Sequence, residues 1–169
     1  MITLKSFARA YIFNNNKLLM MKRSLQKKFA PGLWAAIGGH IEPAEMNEPK
    51  KACIREIKEE TGLEETDINS LNLQYIIMRK AASEIRIQYV YFGTTLKTQL
   101  CQTEEGELNW IAKNNILNRA MSATTKETLK RYILHNNPKI IEVAIVDCDN
   151  EKPVFNWSKI EDWNASSFI

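Results

Sequence analysis

The chain is poor in the residues that build disulfide scaffolds and zinc sites. It has two histidines and three cysteines, Cys53, Cys101 and Cys148, which lie far apart without metal-ligand spacing. No apolar stretch approaches the roughly 18 residues that a membrane-spanning helix needs, and the first residues lack a signal-peptide pattern. We therefore expect a soluble protein of the reducing cytoplasm that does not contact a membrane.

Low-complexity segments and internal repeats are also absent, and neither sign of charge dominates. The net charge is +3, which is too small to indicate nucleic-acid binding by itself. The 169 residues are 44% hydrophobic and 25% charged, as in ordinary globular proteins. We expect a single domain over residues 1–169, with a core of about 1–147 and a C-terminal tail, 148–169, packed on that core through Trp157 and Trp163.

The most informative segment, residues 38–63, holds a Gly-Gly pair followed by an acidic stretch with helical signals. A proline suits the first helical turn, where its missing N–H leaves no hydrogen bond unmade. Gly62 suits a left-handed C-terminal cap. These signals predict a helix over residues 49–61, with Asn47 or Glu48 at the capping position.

Three glutamates of this helix share one face. Glu56, Glu59 and Glu60 are spaced three and four residues apart, so their like charges repel one another. A hard cation bound to their oxygens would reverse that penalty, and Mg²⁺ is the usual choice where phosphates are handled. Arg55 is one turn before Glu59 and can hold its carboxylate. A solvated acidic face with one salt bridge is the simpler interpretation, but it does not explain why the glycines, the arginine and the cap fall at fixed offsets.

The segment resembles the Nudix box of MutT-like hydrolases, G-x5-E-x7-R-E-U-x-E-E-x-G-U, where U is aliphatic. Residues 55–63, Arg-Glu-Ile-Lys-Glu-Glu-Thr-Gly-Leu, fit its second half without a gap. Gly39 and Glu45 fit the first half, but nine residues rather than seven separate Glu45 from Arg55. We interpret this as a two-residue insertion before the helix, after which Glu45 is either structural or displaced.

The resemblance implies roles for the matching residues. Nudix enzymes hydrolyse a nucleoside diphosphate linked to another moiety, and divalent ions neutralise the diphosphate bridge. Glu59 and Glu60 would be metal ligands, and Glu56 a ligand or the water-activating group. The carbonyl of Gly38 would complete the coordination shell, and Arg55 would orient the glutamates. The implied ion is Mg²⁺, with Mn²⁺ as an alternative.

Flanking residues supply further candidates. An additional metal ligand is expected in the acidic loop before a Trp-bearing strand, where we favour Glu105 over Glu104, although a solvated loop explains both. Arg23, at the end of a strand, is a candidate phosphate-binding residue because its forked donors match phosphate oxygens. Trp34 would stack on a base or line the core, with the core favoured for a buried strand, and Gly39 is a further substrate-binding candidate.

Periodicity and turn signals predict a mixed α/β protein. An Asn-rich turn separates the first two strands, and a short Lys-Ala-Ala-Ser link makes the fourth and fifth a hairpin. A capping box of Thr124 and Glu127 is expected to begin a second helix at 124–136. The resemblance implies an α/β/α sandwich around a mixed sheet. The predicted strands are residues 6–13, 17–23, 33–37, 71–80, 84–96, 108–111 and 140–147, with a short helical turn at 113–119.

The box indicates the reaction rather than the substrate. We expect a small-molecule nucleoside diphosphate derivative, with an oxidised purine nucleoside triphosphate as the first candidate. Dinucleoside polyphosphates, nucleotide sugars, ADP-ribose and RNA 5′ ends are alternatives, although the basic residues are too few to favour a nucleic acid. Isopentenyl-diphosphate isomerase shares the fold but would need a cysteine in the cleft. A ligand-sensing module is the non-enzymatic alternative, and a homodimer remains open beside a monomer.

Overall fold

A computed structural model describes residues 1–101, 103–135 and 139–161. Within these residues the chain forms two α-helices, α1 (Pro49–Thr61) and α2 (Ala123–His135), and eight strands. No helix of the described part is long and apolar enough to cross a bilayer. The strands are β1 (Thr3–Asn14), β2 (Lys17–Arg23), β3 (Trp34–Ala35), β4 (Ile68–Ala81), β5 (Glu84–Thr95), β6 (Gly106–Ala112), β7 (Ile141–Asp149) and β8 (Lys152–Ile160).

The strands form one mixed sheet in the order β3-β2-β1-β5-β4-β7-β8, with β6 paired to β2. β1 runs parallel to β5 over its length, and β4 runs parallel to β7. β4 and β5 form the predicted antiparallel hairpin, and Ala82 in its turn has a positive φ of 52°. Long-range parallel pairing thus places β1 in the interior of the sheet, between β2 and β5 and beside the loop that carries the Gly-Gly pair.

The two helices cover opposite faces of the sheet. α1 packs through Ala52, Cys53 and Ile57 onto a cluster that includes Ala8 and Ala10 of β1. The opposite face carries a second apolar cluster, in which Leu129 of α2 is fully buried together with Tyr11, Phe13, Tyr75 and Phe92 from the sheet. The predicted α/β/α sandwich is confirmed.

α1 begins and ends where the sequence predicts, and Gly62 adopts the left-handed conformation at its C-terminus with φ 74°. Glu48 occupies the N-cap position without a side-chain hydrogen bond. The capping box predicted for α2 is wrong. Ser122 caps that helix instead, since its Oγ accepts a hydrogen bond from the backbone N–H of Thr125 at 3.2 Å.

The segment expected to form a C-terminal tail largely continues the sheet. β7 extends to Asp149, and β8 pairs with it antiparallel as an edge strand. Trp157 of β8 turns its ring toward Tyr75, with centroids 5.1 Å apart, and this contact joins the strand to the core. The other tryptophan named for the tail, Trp163, lies outside the described residues.

Candidate active site

The Gly-Gly turn lies against the middle of β1. Ala10 and Ile37 exchange backbone hydrogen bonds of 2.8 and 3.2 Å, and Ala8 N–H donates to Gly39 O at 3.0 Å. Gly38 has a φ of 129°, and a Cβ at this position would lie 2.2 Å from the Ala8 carbonyl oxygen. Only glycine fits there, because both the backbone conformation and the close approach exclude a side chain.

Two carboxylates of α1 face this turn. The backbone N–H of Gly38 donates to Glu60 Oε2 at 2.9 Å. Burial, together with the nearby Glu56 carboxylate, raises the pKa of Glu60 to about 7. Burial also raises the pKa of Glu56. A Cβ on Gly39 would lie 2.5 Å from both Glu56 carboxylate oxygens, so the second glycine makes room for that side chain.

Arg9 of β1 lies beside these carboxylates and donates a hydrogen bond to the carbonyl oxygen of Gly38. Burial lowers the pKa of its guanidinium, and the charges of Glu60 and Glu56 oppose that effect. The sequence interpretation did not single out Arg9. The available signal is its alternation with Phe7, which places both side chains on one face of β1.

Arg55 links the loop before α1 to the acidic face. Its Nη1 donates to Glu56 Oε1 at 2.9 Å and to Glu59 Oε2 at 3.1 Å, and its Nη2 donates to His40 O at 3.0 Å. It also forms a bidentate pair with Glu45. Glu45 is therefore structural despite the insertion, because the 3₁₀ turn Pro43–Glu45 keeps its carboxylate within reach.

A cavity of about 800 Å³ opens between the Gly-Gly turn, the sheet and the N-terminus of α2. Every residue that the sequence predicts to be catalytic, metal-binding or substrate-binding lines this cavity. They are Arg23, Trp34, Gly38, Gly39, Arg55, Glu56, Glu59, Glu60 and Glu105.

The flanking candidates differ in their surroundings. Arg23 Nε donates to the carbonyl oxygen of Phe29 at 3.0 Å, which fixes the side chain at the cavity mouth. Trp34 is half-buried, and the guanidinium of Arg119 lies 5.1 Å from its ring centroid. Glu105 accepts a 2.6 Å hydrogen bond from Lys27 Nζ.

The alternative acidic residue, Glu104, is exposed and does not line the cavity. None of the three cysteines lines it either: Cys53 is buried on the inner face of α1, and Cys101 and Cys148 are exposed. The cleft therefore lacks the thiol that the isomerase alternative needs.

Comparison with known proteins decides the family, since residues 4–132 match the family model for the NUDIX domain. The chain belongs to the Nudix family. A nucleoside triphosphatase, NudI of Escherichia coli K12, is 27% identical over 128 residues, covering 70% of this chain and 89% of NudI. Nudix hydrolases act on pyrophosphate bonds, so the chain is an enzyme of that class.

Solved structures agree on the fold. A mutator MutT protein from Bacillus halodurans superposes with a TM-score of 0.68 at 20% identity, over 92% of this chain and 97% of that one. An Ap4A hydrolase from C. elegans superposes with a TM-score of 0.60 at 15% identity, over 78% and 96% of the two chains. These similarities show that the Nudix fold surrounds the cavity described above.

The donor set of this Nudix site fits a hard divalent ion. Glu56 and Glu60 are carboxylates that burial makes costly to ionise without a counter-charge, and Gly38 adds a carbonyl oxygen, which already accepts a hydrogen bond from Arg9. Across the described ranges 1–101, 103–135 and 139–161, no group of three acidic, His or Cys side chains lies close enough together to coordinate a metal ion in the present conformation. Arg55 Nη1 bonds both Glu56 and Glu59, so ion binding requires these side chains to rotate.

Proposed function

We propose that this Nudix hydrolase is a Mg²⁺-dependent pyrophosphohydrolase of a nucleotide-type substrate. A purine nucleoside triphosphate, in its oxidised or ordinary form, is the first candidate. The observation that carries the proposal is the meeting of Glu56, Glu59 and Glu60 with two arginines, Arg9 and Arg23, in one cavity. Carboxylates that hold a cation beside guanidinium groups are what cleavage of a polyanionic bridge requires.

Glu56, Glu59, Glu60 and the carbonyl oxygen of Gly38 would hold the ion, with Glu105 as a further ligand. When bound, such an ion supplies Lewis-acid neutralisation of phosphoryl oxygens that gain charge in the transition state. Glu105 Oε1 is paired with Lys27 Nζ at 2.6 Å, so Glu105 would contribute to the ion through its other carboxylate oxygen.

The remaining steps fall to side chains of the chain itself. Arg23 would bind a phosphate of the substrate through its outer guanidinium nitrogens, since Nε already donates to Phe29 O. As the alternative to holding the ion, Glu56 would accept a proton from the attacking water, since burial raises the pKa of its carboxylate. Arg55 is the positioning residue, because it holds Glu56 and Glu59 from one side.

Aromatic side chains at the cavity mouth support a nucleotide as the substrate. Trp34 lines the cavity beside Phe29, which is 63% exposed and so has a ring face open to solvent. Flat apolar rings of this kind bind nucleobases by stacking. The nucleoside triphosphatase NudI, the relative that matches 70% of this chain, supports placing nucleoside triphosphates first.

The proposal is tested by measuring Mg²⁺-dependent release of phosphate or pyrophosphate across a substrate panel. The panel contains ordinary and oxidised nucleoside triphosphates, dinucleoside polyphosphates, ADP-ribose, nucleotide sugars and 5′-triphosphorylated RNA. Glu59→Gln should lower kcat by about 100-fold or more, because it removes a charged ligand from the ion. Glu65→Gln, a surface substitution of the same chemistry outside the cavity, is the matched control.

Activity on one class that needs Mg²⁺ and is lost only in Glu59→Gln would support the proposal and identify the leaving group. Turnover that survives chelation of divalent ions, or that is equal in Glu59→Gln and wild type, would contradict it. Tight binding of a nucleotide without hydrolysis of any panel member would favour the ligand-sensing alternative.

A further inference from the structure

Three basic side chains lie in one row across the sheet, away from the acidic helix. Lys5 of β1 is in register with Arg86 of β5, and Arg86 is in register with Arg79 of β4. All three line the cavity. Like charges that face each other on neighbouring strands destabilise a sheet, so this basic row costs stability wherever its charges are not neutralised.

The basic row is only partly neutralised by the protein. Glu84 forms ion pairs with Arg86, at 2.7 Å, and with Lys5. Within the described residues, Arg79 forms no ion pair, and its buried Nε has no hydrogen-bond partner. Burial lowers the pKa of the Arg79 guanidinium, which reflects the cost of holding that charge away from water. An anion in the cavity would supply the missing counter-charge and would accept hydrogen bonds from the outer guanidinium nitrogens of Arg79.

The row lies at the opposite end of the cavity from Glu60. Along β1, Lys5 is four residues from Arg9, about 13 Å in an extended strand. Phe7 lies between them on the same face, and its ring packs against His40 with centroids 4.4 Å apart. Lysine and arginine side chains are long enough for their charged ends to lie closer together than the backbone positions do, so the space between the row and Arg9 would suit two anionic groups on opposite sides of a ribose-sized unit.

We propose that the basic row binds a phosphate monoester on the far moiety of the substrate. Between two diphosphate compounds that are otherwise alike, the enzyme would then favour the one that carries a further phosphate about one ribose away from the scissile bridge. This inference rests on the proposed function, since it assumes that the bridge is cleaved at the end of the cavity that holds Glu60. The additional phosphate is a feature of the leaving moiety for which the acidic helix itself does not select.

The experiment compares compounds that differ by one phosphate. Hydrolysis is measured for NADPH against NADH and for coenzyme A against its 3′-dephospho form. Binding is measured by calorimetry for adenosine 2′,5′- and 3′,5′-bisphosphate against AMP, which needs no turnover. For at least one pair, wild type should show a kcat/KM or an affinity about tenfold or more higher for the compound with the additional phosphate. This is the effect of one charge-assisted hydrogen bond.

Arg79→Gln should abolish that preference, so that the ratio between the paired compounds falls to about one. Arg79→Lys should restore part of the preference, because the positive charge returns without the forked donors. Lys80→Gln removes the same charge from the next residue of β4, which is exposed and points to the other face, and should keep the wild-type preference. Thermal unfolding of each variant shows that the fold is retained.

The inference would be overturned if wild type hydrolysed and bound both compounds of each pair equally well. It would also be overturned if the preference persisted in Arg79→Gln. Hydrolysis of nucleoside triphosphates with no preference in either assay would leave the proposed function standing while removing the basic row as a phosphate site. Conversely, a bisphosphate preference lost in Arg79→Gln, without hydrolysis of any compound, would support the basic row and contradict the proposed function.

Discussion

Arg55 and Glu45 meet through two parallel hydrogen bonds, Nε to Oε1 and Nη2 to Oε2, both 2.9 Å long. Both side chains are largely buried, with 26% and 11% of their surfaces exposed. The pair connects the loop before α1 to the residue that also holds Glu56 and Glu59. The two-residue insertion therefore lengthens the loop without breaking the link between the loop and the acidic face.

Glu45→Gln should lower the free energy of unfolding by about 1–3 kcal/mol, because it leaves the Arg55 fork short of a charged acceptor. It should lower kcat/KM about 10- to 100-fold, as loss of a group that orients metal ligands does. The hydrogen bonds from Arg55 lower the pKa of Glu45 below 4.5, so this stabilisation is present above that pH and is lost on acidification. Glu64→Gln, which removes an exposed ion pair with Lys58, is the control and should change stability by less than about 1 kcal/mol.

Glu60→Gln should stabilise the metal-free protein while abolishing activity. Burial raises the pKa of Glu60 from 4.5 to about 7, so ionisation of this group opposes folding. The penalty is absent below pH 4.5, grows up to about pH 7 and is constant above it. Thermal unfolding with a chelator at pH 8 should show a gain of about 1–3 kcal/mol, which shrinks toward pH 4.5. A variant less stable than wild type at pH 8 would refute this account.

Binding of Mg²⁺ should release protons near pH 7. The raised pKa of Glu60 keeps a substantial fraction of the metal-free protein protonated there, and an ion requires the ionised carboxylate. Calorimetric titration with Mg²⁺ in two buffers of different ionisation enthalpy measures the number of protons released. Proton release that is the same in wild type and Glu60→Gln would show that another group titrates.

Alanine substitutions at the two glycines should separate folding from catalysis. Gly39→Ala should fold but lower kcat by about 100-fold, because its methyl group displaces the Glu56 carboxylate. Gly38→Ala should cost more than about 2 kcal/mol of stability, since φ is 129° and the backbone of Ala8 blocks the new Cβ. Circular dichroism and activity of both variants test this contrast. Equal loss of folding in both would show that Gly39 is also required by the backbone.

Local signals account for the parts of the structure that the sequence predicts well. The bounds of α1 follow from a proline, an apolar stripe and Gly62, which act within a few residues of one another. The link between Glu45 and Arg55 was not predictable, because it depends on how the inserted residues turn. The cap of α2 was misassigned because Ser122 and Thr124 are chemically equivalent caps, and only the path of the preceding loop selects between them.

The cavity wall depends on pairings that no local pattern specifies. Lys5 and Arg79 are far apart in the sequence, and they share a row only because β5 lies between β1 and β4 in the sheet. Arg9 was overlooked for the same reason. In an isolated strand its side chain is an ordinary surface charge, and it becomes part of the site only when the Gly-Gly turn packs beside it.

The alternation of β1 has an evolutionary consequence. Ala8, Ala10 and Ile12 face α1, whereas Phe7 and Arg9 face the cavity, so packing and ligand contact use interleaved positions of one strand. We expect substitutions at cavity-facing positions that do not hold the Gly-Gly turn, such as Phe7, to alter ligand contact while the contact with α1 stays intact. Natural divergence and laboratory selection can therefore alter specificity along this strand within an unchanged scaffold.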